Sequence, residues 1–187
     1  MTIEKLRNKA YGYLDKKRVA HVRGCEEEAV KLAERYGEDT DDAARAAILH
    51  DITKRLDYDA QLEIIRRYGI ECDDDELKSP KLLHAKTGAA LAADVFKIPD
   101  TIADAIRWHT TGKPQMSLLE KIIYLADYIE PTRDFEGVEQ LREMAYENID
   151  KAMALGLKMS LEEIKSRGQV PYRDTADAYE YYKKIDT

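Results

Sequence analysis

The chain has 187 residues, of which 44% are apolar and 36% charged, with a net charge of -7. That is long enough to bury a real core, too apolar for a disordered chain, and too acidic to carry the cationic surface that a long nucleic acid demands. A polyanionic ligand must therefore be met locally, by a metal and a few basic residues. The first ten residues are charged throughout, and no segment approaches the ~20 apolar residues of a membrane span. A cytoplasmic protein without a membrane partner is expected, as one domain over residues 1–187. Cys25 and Cys72 are too few for a disulfide framework.

Apolar residues recur at three- and four-residue spacing in nearly every segment and nowhere alternate cleanly, which predicts an all-α fold with no significant sheet. The first helix covers about Ile3 to Leu14. The second runs from about Val19 to Tyr36, with Val22, Cys25, Ala29, Leu32 and Ala33 on one face, and Gly37 ends it. The Asp39-Thr40 cap signal opens a third helix, small and apolar nearly all round from Ala43 to Leu49, as a central buried helix reads. It runs straight into His50-Asp51. A polar helix follows from about Ala60 to Tyr68, closed by Gly69, and Glu71 to Lys78 reads as a solvated connection. Ser79-Pro80 then starts a helix reaching about Phe96. The next is capped by Asp100 and carries Ile102, Ala105, Ile106 and His109 until Gly112 and Pro114. Another runs from Ser117 to the Pro131 break. Beyond Phe135, helices are expected over about Glu136–Asn148 and Ile149–Ser166, then a break at Gln169–Tyr172 and a last helix to Ile185.

The chain has only four histidines, and each shares a face with an apolar stripe. His21 aligns with Cys25, Ala29 and Leu32; His50 with Ala43, Ala46 and Ala47; His84 with Gly88, Leu91 and Val95; His109 with Ile102, Ala105 and Ile106. A single inward histidine is ordinarily satisfied by a hydrogen bond. Four are more simply explained by one shared partner, and a divalent metal is such a partner. Asp51, after a helix of alanines, and Asp127, near the end of an apolar helix, point the same way, because buried carboxylates are usually paired or metal-bound. Imidazole and carboxylate donors without thiolate suit iron, manganese, cobalt or zinc, as one ion or two. Such a metal supplies hydroxide near neutral pH and polarises a phosphoryl oxygen, which suits in-line attack on phosphorus. Lys54, three residues after Asp51, reaches a phosphate if the helix continues, and Arg133 has the planar fork to grip one. Trp108 is placed to stack on a base or to lie in the core. Cys25 sits one helical turn after His21.

His21, the later His50-Asp51 pair and the distal Asp127 resemble the signature of the HD-domain phosphohydrolases. The context Ala-Ile-Leu-His50-Asp51-Ile-Thr-Lys54, with Leu-Ala-Asp127-Tyr-Ile-Glu-Pro downstream, makes the resemblance specific. Motifs at His84-Ala-Lys-Thr-Gly88, Trp108-His109-Thr-Thr-Gly112, Arg133 and Val170 to Thr175 further resemble the YqeK-like subgroup, described as symmetrical bis(5'-nucleosyl)-tetraphosphatases. This resemblance covers almost the whole chain. It implies a helical HD bundle with a central metal site, its core at about 18–131, and helices over 135–187 completing a nucleotide site.

It further implies cleavage of diadenosine tetraphosphate and related dinucleoside polyphosphates to two ADP by metal-hydroxide attack, with iron as the metal. His21, His50, Asp51 and Asp127 are then the metal ligands, and His84 and His109 hold a second metal or face the phosphates. Asp51, Lys54, His84 and His109 are the implied catalytic groups. The nucleotide is implied to contact His21, Asp51, Ile52, Thr53, Lys54, His84, His109, Asp127, Arg133, Val170, Pro171, Tyr172, Arg173, Asp174 and Thr175. Two rivals stand beside this: another HD nucleotide phosphohydrolase (nucleotidase or phosphodiesterase), and a non-catalytic sensor of ADP or an alarmone. The tyrosine-rich end at Tyr179, Tyr181 and Tyr182 suits a homodimer interface as well as a core.

Overall fold

The structure is a computed structural model that describes residues 1–185; residues 186–187 of the expected domain lie outside it. Eleven helices and no strand occur among the described residues, so the fold is all-α. Helix α1 (Ile3–Tyr11) ends at Gly12, short of the expected Leu14. Helix α2 (Lys16–Tyr36) begins ahead of Val19 because Asp15 caps it, accepting the Arg18 N–H at 2.8 Å, and it stops where Gly37 turns left-handed at φ 77°. In α3 (Thr40–Leu49) Asp39 accepts from the Asp41 and Asp42 N–H groups.

Helix α4 (Tyr58–Tyr68) starts behind Asp57. The expected connection after it contains a short helix, α5 (Asp74–Leu77), because Asp73 and Glu76 form a reciprocal capping box. Helix α6 (Pro80–Phe96) has its proline in the first turn, but Ser79 makes no cap bond and meets Tyr172 Oη at 3.2 Å instead. In α7 (Asp100–Trp108) the cap position belongs to Pro99, and Asp100 is the first helical residue. A Ser117–Glu120 capping box starts α8 (Leu118–Ile129), followed by α9 (Val138–Glu147), α10 (Ile149–Ser166) and α11 (Arg173–Tyr182).

Helix α3 is the central element, touching α1, α2, α6, α7 and α8. Its alanines make this possible: Ala43, Ala46 and Ala47 are at most 1% exposed, and their small side chains let five neighbours approach. Helix α8 packs on α2, α3, α7 and α10, and α10 in turn carries α9 and α11. One apolar cluster runs from Leu6 through Ile48, Leu49 and Ile122 to Tyr182, each fully burying side chain contributing about 1.5–3 kcal/mol. Tyr182 lies in that core and its hydroxyl accepts the Met116 N–H at 2.9 Å, while Tyr179 and Tyr181 pack against the cluster. No helix among the described residues is long and apolar enough to cross a membrane.

Candidate metal centre

Five helices deliver the site. His21 faces inward from α2, His50 is the residue on which α3 ends, Asp51 follows in the turn, His84 lies on α6, His109 caps the end of α7, and Asp127 sits in the last turn of α8. All four histidines and Asp51 are buried; Asp127 keeps 22% of its side chain open to the cleft above.

The four imidazoles are oriented alike. Nδ1 of His50, His84 and His109 stands 2.7, 2.6 and 2.6 Å from the carbonyls of Ala47, Lys81 and Ile106, one helical turn back. His21 Nδ1 is 3.0 Å from Glu130 Oε1. Carbonyls and carboxylates only accept, so each Nδ1 carries a proton, which leaves Nε2 as the nitrogen that can give its lone pair to an ion.

Those lone pairs converge on carboxylates. His21 Nε2 is 3.0 Å from Asp127 Oδ1 and 3.8 Å from Asp51 Oδ2, and His50 Nε2 is 3.4 and 3.9 Å from Asp51 Oδ2 and Asp127 Oδ1. Beyond Asp51, its Oδ1 faces His84 Nε2 at 3.2 Å and His109 Nε2 at 3.7 Å, and those two nitrogens are 3.1 Å apart. His50 Nε2 and Asp51 Oδ1 are buried without a hydrogen-bond partner, a state that costs about 2–7 kcal/mol per group in an apolar interior unless something compensates. A divalent ion does. Two groups of donor atoms lie within 4.8 Å of one another, His21, Cys25, His50 and Asp127 in one and His50, Asp51 and His109 in the other, and each could hold an ion, with His50 common to both. Cys25 Sγ lies 3.5 Å from His21 Nε2, and burial, with Asp127 and Glu130 adding to it, pushes its thiol well up as long as no cation is bound.

Electrostatics reinforce the cluster. Burial by itself would raise the Asp51 and Asp127 carboxyls, yet protons and charge on the facing imidazoles, which an ion at Nε2 would replace, hold both well below the usual range, with Arg133 adding to the effect at Asp127. Arg18 reaches Asp51 Oδ2 at 2.8 Å and Arg133 reaches Asp127 Oδ1 at 2.6 Å. Helix α3 does not continue as far as Lys54; successive turns place it instead, with Nζ 2.9 Å from His84 Nε2 and 3.6 Å from Asp51 Oδ1. Burial lowers the Lys54 pKa and takes His84 down to about 4, so His84 is neutral at pH 7 and accepts from Lys54.

The remaining predicted residues fall into two places. Ile52 and Thr53 are buried beneath the site, where Thr53 Oγ1 donates to the His84 carbonyl at 2.8 Å and receives Thr87 Oγ1 at 3.0 Å. The Thr53 hydroxyl thus ties the turn after α3 to α6, and the Ile52 side chain packs in the apolar core. Val170, Pro171, Tyr172, Arg173 and Asp174 line a separate cavity of about 530 Å³ beside Thr111, while Thr175 is buried under it. Trp108 packs against the core beneath Lys113, 5.5 Å from the ring centroid.

Sequence reasoning missed Glu130. Pro131 forces it out of helical geometry, to ψ 155°, which turns its carboxylate back onto His21, where Thr132 N and Oγ1 also donate to it. Gly24 makes room: a Cβ there would stand 2.6 Å from Glu130 Oε2. Arg18, Lys81 and Arg167 were missed as well, and they stand with Lys54 and Arg133 around one cleft of about 310 Å³ over Asp127 and His109.

The match to known proteins covers this same constellation, since a family model described as HD domain matches residues 18–132. The chain belongs to the HD-domain family. A relative from Halalkalibacterium halodurans is 40% identical over 89% of both chains, and one from Bacillus subtilis is 37% identical over 90% of both. One of Staphylococcus aureus is 36% identical over 100% of this chain and 97% of its own. All three are named symmetrical bis(5'-nucleosyl)-tetraphosphatase. The crystal structure of a predicted HD superfamily hydrolase involved in NAD metabolism, from Clostridium acetobutylicum, superimposes with a TM-score of 0.94 at 37% identity, covering 99% of this chain and 98% of that one.

Proposed function

We propose that this chain hydrolyses diadenosine tetraphosphate, and related dinucleoside polyphosphates, symmetrically to two ADP at a metal centre formed by His21, His50, Asp51 and Asp127. The observation that carries this reading is the convergence of four Nε2 lone pairs and two carboxylates under a cleft ringed by cations. Relatives of matching length and the same name support the substrate. Nitrogen and oxygen donors suit iron, manganese, cobalt or zinc alike, and our choice of iron rests on the resemblance to the family.

A divalent ion held there makes hydroxide available near neutral pH and polarises a phosphoryl oxygen. The protein's own groups do the rest. Arg18, Lys54 and Arg133 stand over the cluster where phosphate oxygens would lie, and partial burial reduces the screening of their attraction for phosphate. Thr110 Oγ1, 3.4 Å from His84 Nε2 and 3.2 Å from His109 Nε2, orients the two histidines toward the phosphate chain. Neutral His84 has no Nε2 proton to give, so Lys54 is the acid nearest the reacting phosphorus. ADP is a good enough leaving group that neutralising its charge suffices. Val170 to Asp174 and Thr111 receive one adenosine in the cavity beside the cluster. Anchoring the nucleoside there sets how much of the phosphate chain reaches the cluster, which is what would select the central bridging oxygen.

Incubation of metal-loaded protein with diadenosine tetraphosphate, followed by chromatography, tests the reading. ADP alone is expected; AMP with ATP overturns symmetrical cleavage, and tight ADP binding without turnover indicates a sensor. Asp51→Ala is expected to lose both metal and activity, and retention of stoichiometric metal removes Asp51 from the ligand set. Elemental analysis after anaerobic purification tests the assignment of iron.

A further inference from the structure

The tetraphosphatase reading accounts for one nucleoside end, in the cavity beside Tyr172, yet a symmetrical substrate has two. The two cavities meet at adjacent residues, Leu82 and Thr111 lining one and Lys81 and Thr110 the other. Their charges are opposite. The Tyr172 cavity carries four carboxylates against two cations, which suits a neutral nucleoside and repels phosphate. The second cleft carries Arg18, Lys54, Lys81, Arg133 and Arg167 against Asp127 and Glu163. A tetraphosphate anchored by its nucleoside in the acidic cavity must therefore run its far half into the basic one.

Resting on that reading, we propose that the cleft between α8 and α10 is the binding site for the second ADP half, the one that departs. Lys81 is exposed, sits over the cleft and has no carboxylate partner among the described residues. Arg167 is held at the rim by Glu163, 2.5 Å away and four residues earlier on α10. These two cations meet the phosphates beyond the scissile bond. The inner wall is aromatic: Tyr124 is buried with its hydroxyl at Ser160, and Tyr128 stacks on Phe135 with ring centroids 5.1 Å apart. Tyr128 thus presents an apolar surface to the second nucleoside, and Glu163 offers carboxylate acceptors for its ribose hydroxyls. A cleft of about 310 Å³ open at one side is in the range of small-ligand sites.

The test uses full-length metal-loaded protein, the exposed double variant Lys81→Ala/Arg167→Ala, and Glu163→Gln. Calorimetric titration with ADP is expected to find two sites per chain in the wild type and one in the double variant. KM for diadenosine tetraphosphate is expected to rise about tenfold or more in the double variant, the loss of a charge-assisted contact, with a smaller change in kcat. Glu163→Gln is expected to raise KM less. Two ADP sites and an unchanged KM in the double variant overturn the second site while leaving symmetrical cleavage intact. A single ADP site in the wild type overturns it too. Wild-type products other than ADP overturn both proposals together.

Discussion

Glu130 shows how much a single side chain outside the ligand set can decide. Its carboxylate fixes the His21 tautomer, so the Nε2 lone pair is available toward Asp127. Loss of such a partner typically lowers metal affinity about 10–100-fold. Glu130→Ala should show that loss in a competition titration against a chelating dye, and Glu130→Gln, which keeps an acceptor oxygen, should recover part of it. Gly24→Ala should weaken the same site without touching a ligand, because its methyl displaces the Glu130 carboxylate; metal content and His21 accessibility to modification report it. His84 makes a pH prediction. Burial lowers it to about 4, Lys54 assisting and Asp51 opposing, against an ordinary value near 6.5. From about pH 6.5 down to about 4 the unfolded chain binds a proton there that the folded chain refuses, so stability falls as pH falls through that window. Urea titrations of chelator-treated protein should show this slope, and His84→Asn should flatten it. The difference between the two isolates His84 from His50, which burial lowers but Asp51 and Asp127 raise on balance.

At the scale of elements, the site depends on where helices stop. Helix α3 ends on His50, α7 on His109 and α8 just before Glu130, and in each case the freed turn re-aims a side chain that a continuing helix would carry away. The turn after α3 is clipped to α6 by the Thr53 hydroxyl on the His84 carbonyl, with Thr87 behind it. Thr53→Val removes that bond inside a buried site and should cost about 1–3 kcal/mol, measured by urea denaturation, with Thr53→Ser close to wild type. The cap signal at Asp39 acts as local rules expect, whereas Asp15 and Asp57, not among the expected caps, start α2 and α4 ahead of Val19 and Ala60. The missed element, α5, is too short for a periodic stripe to reveal, and only its capping box marks it. Asp100 suits a cap by residue type, yet the backbone before the helix is already extended at Pro99, which takes the cap position without a side-chain acceptor.

For the whole molecule, an ion at this centre would act as a cross-link. Its candidate ligands come from α2, the end of α3 and α8, three helices that pack directly on one another and that the ion would tie together at one further point. Metal binding should therefore stabilise the fold in proportion to RT ln(1 + [L]/Kd), about 4 kcal/mol at a thousandfold excess over Kd. For a chain of this size each kcal/mol moves Tm by about 2–4 °C. A thermal melt before and after chelation should show a drop of that order, and Asp51→Ala should melt at one temperature with or without metal. The net charge of -7 belongs to the same scale: most of the acid lies elsewhere, leaving one cleft positive for a phosphate chain.

The sequence by itself determined the helices, the inward faces of the four histidines, and the HD signature with Asp127, because periodicity, caps and motif spacing are local along the chain. It could not show which nitrogen of each histidine faces the ion, nor that Arg18, Lys81, Arg167 and Glu130 join the site. An exposed lysine or arginine on a helix reads the same whether it meets solvent or a phosphate. Only packing α2, α6, α8 and α10 around α3 decides which of these charges share a cleft, since Coulomb forces depend on separation in space, which residues more than a hundred positions apart do not reveal.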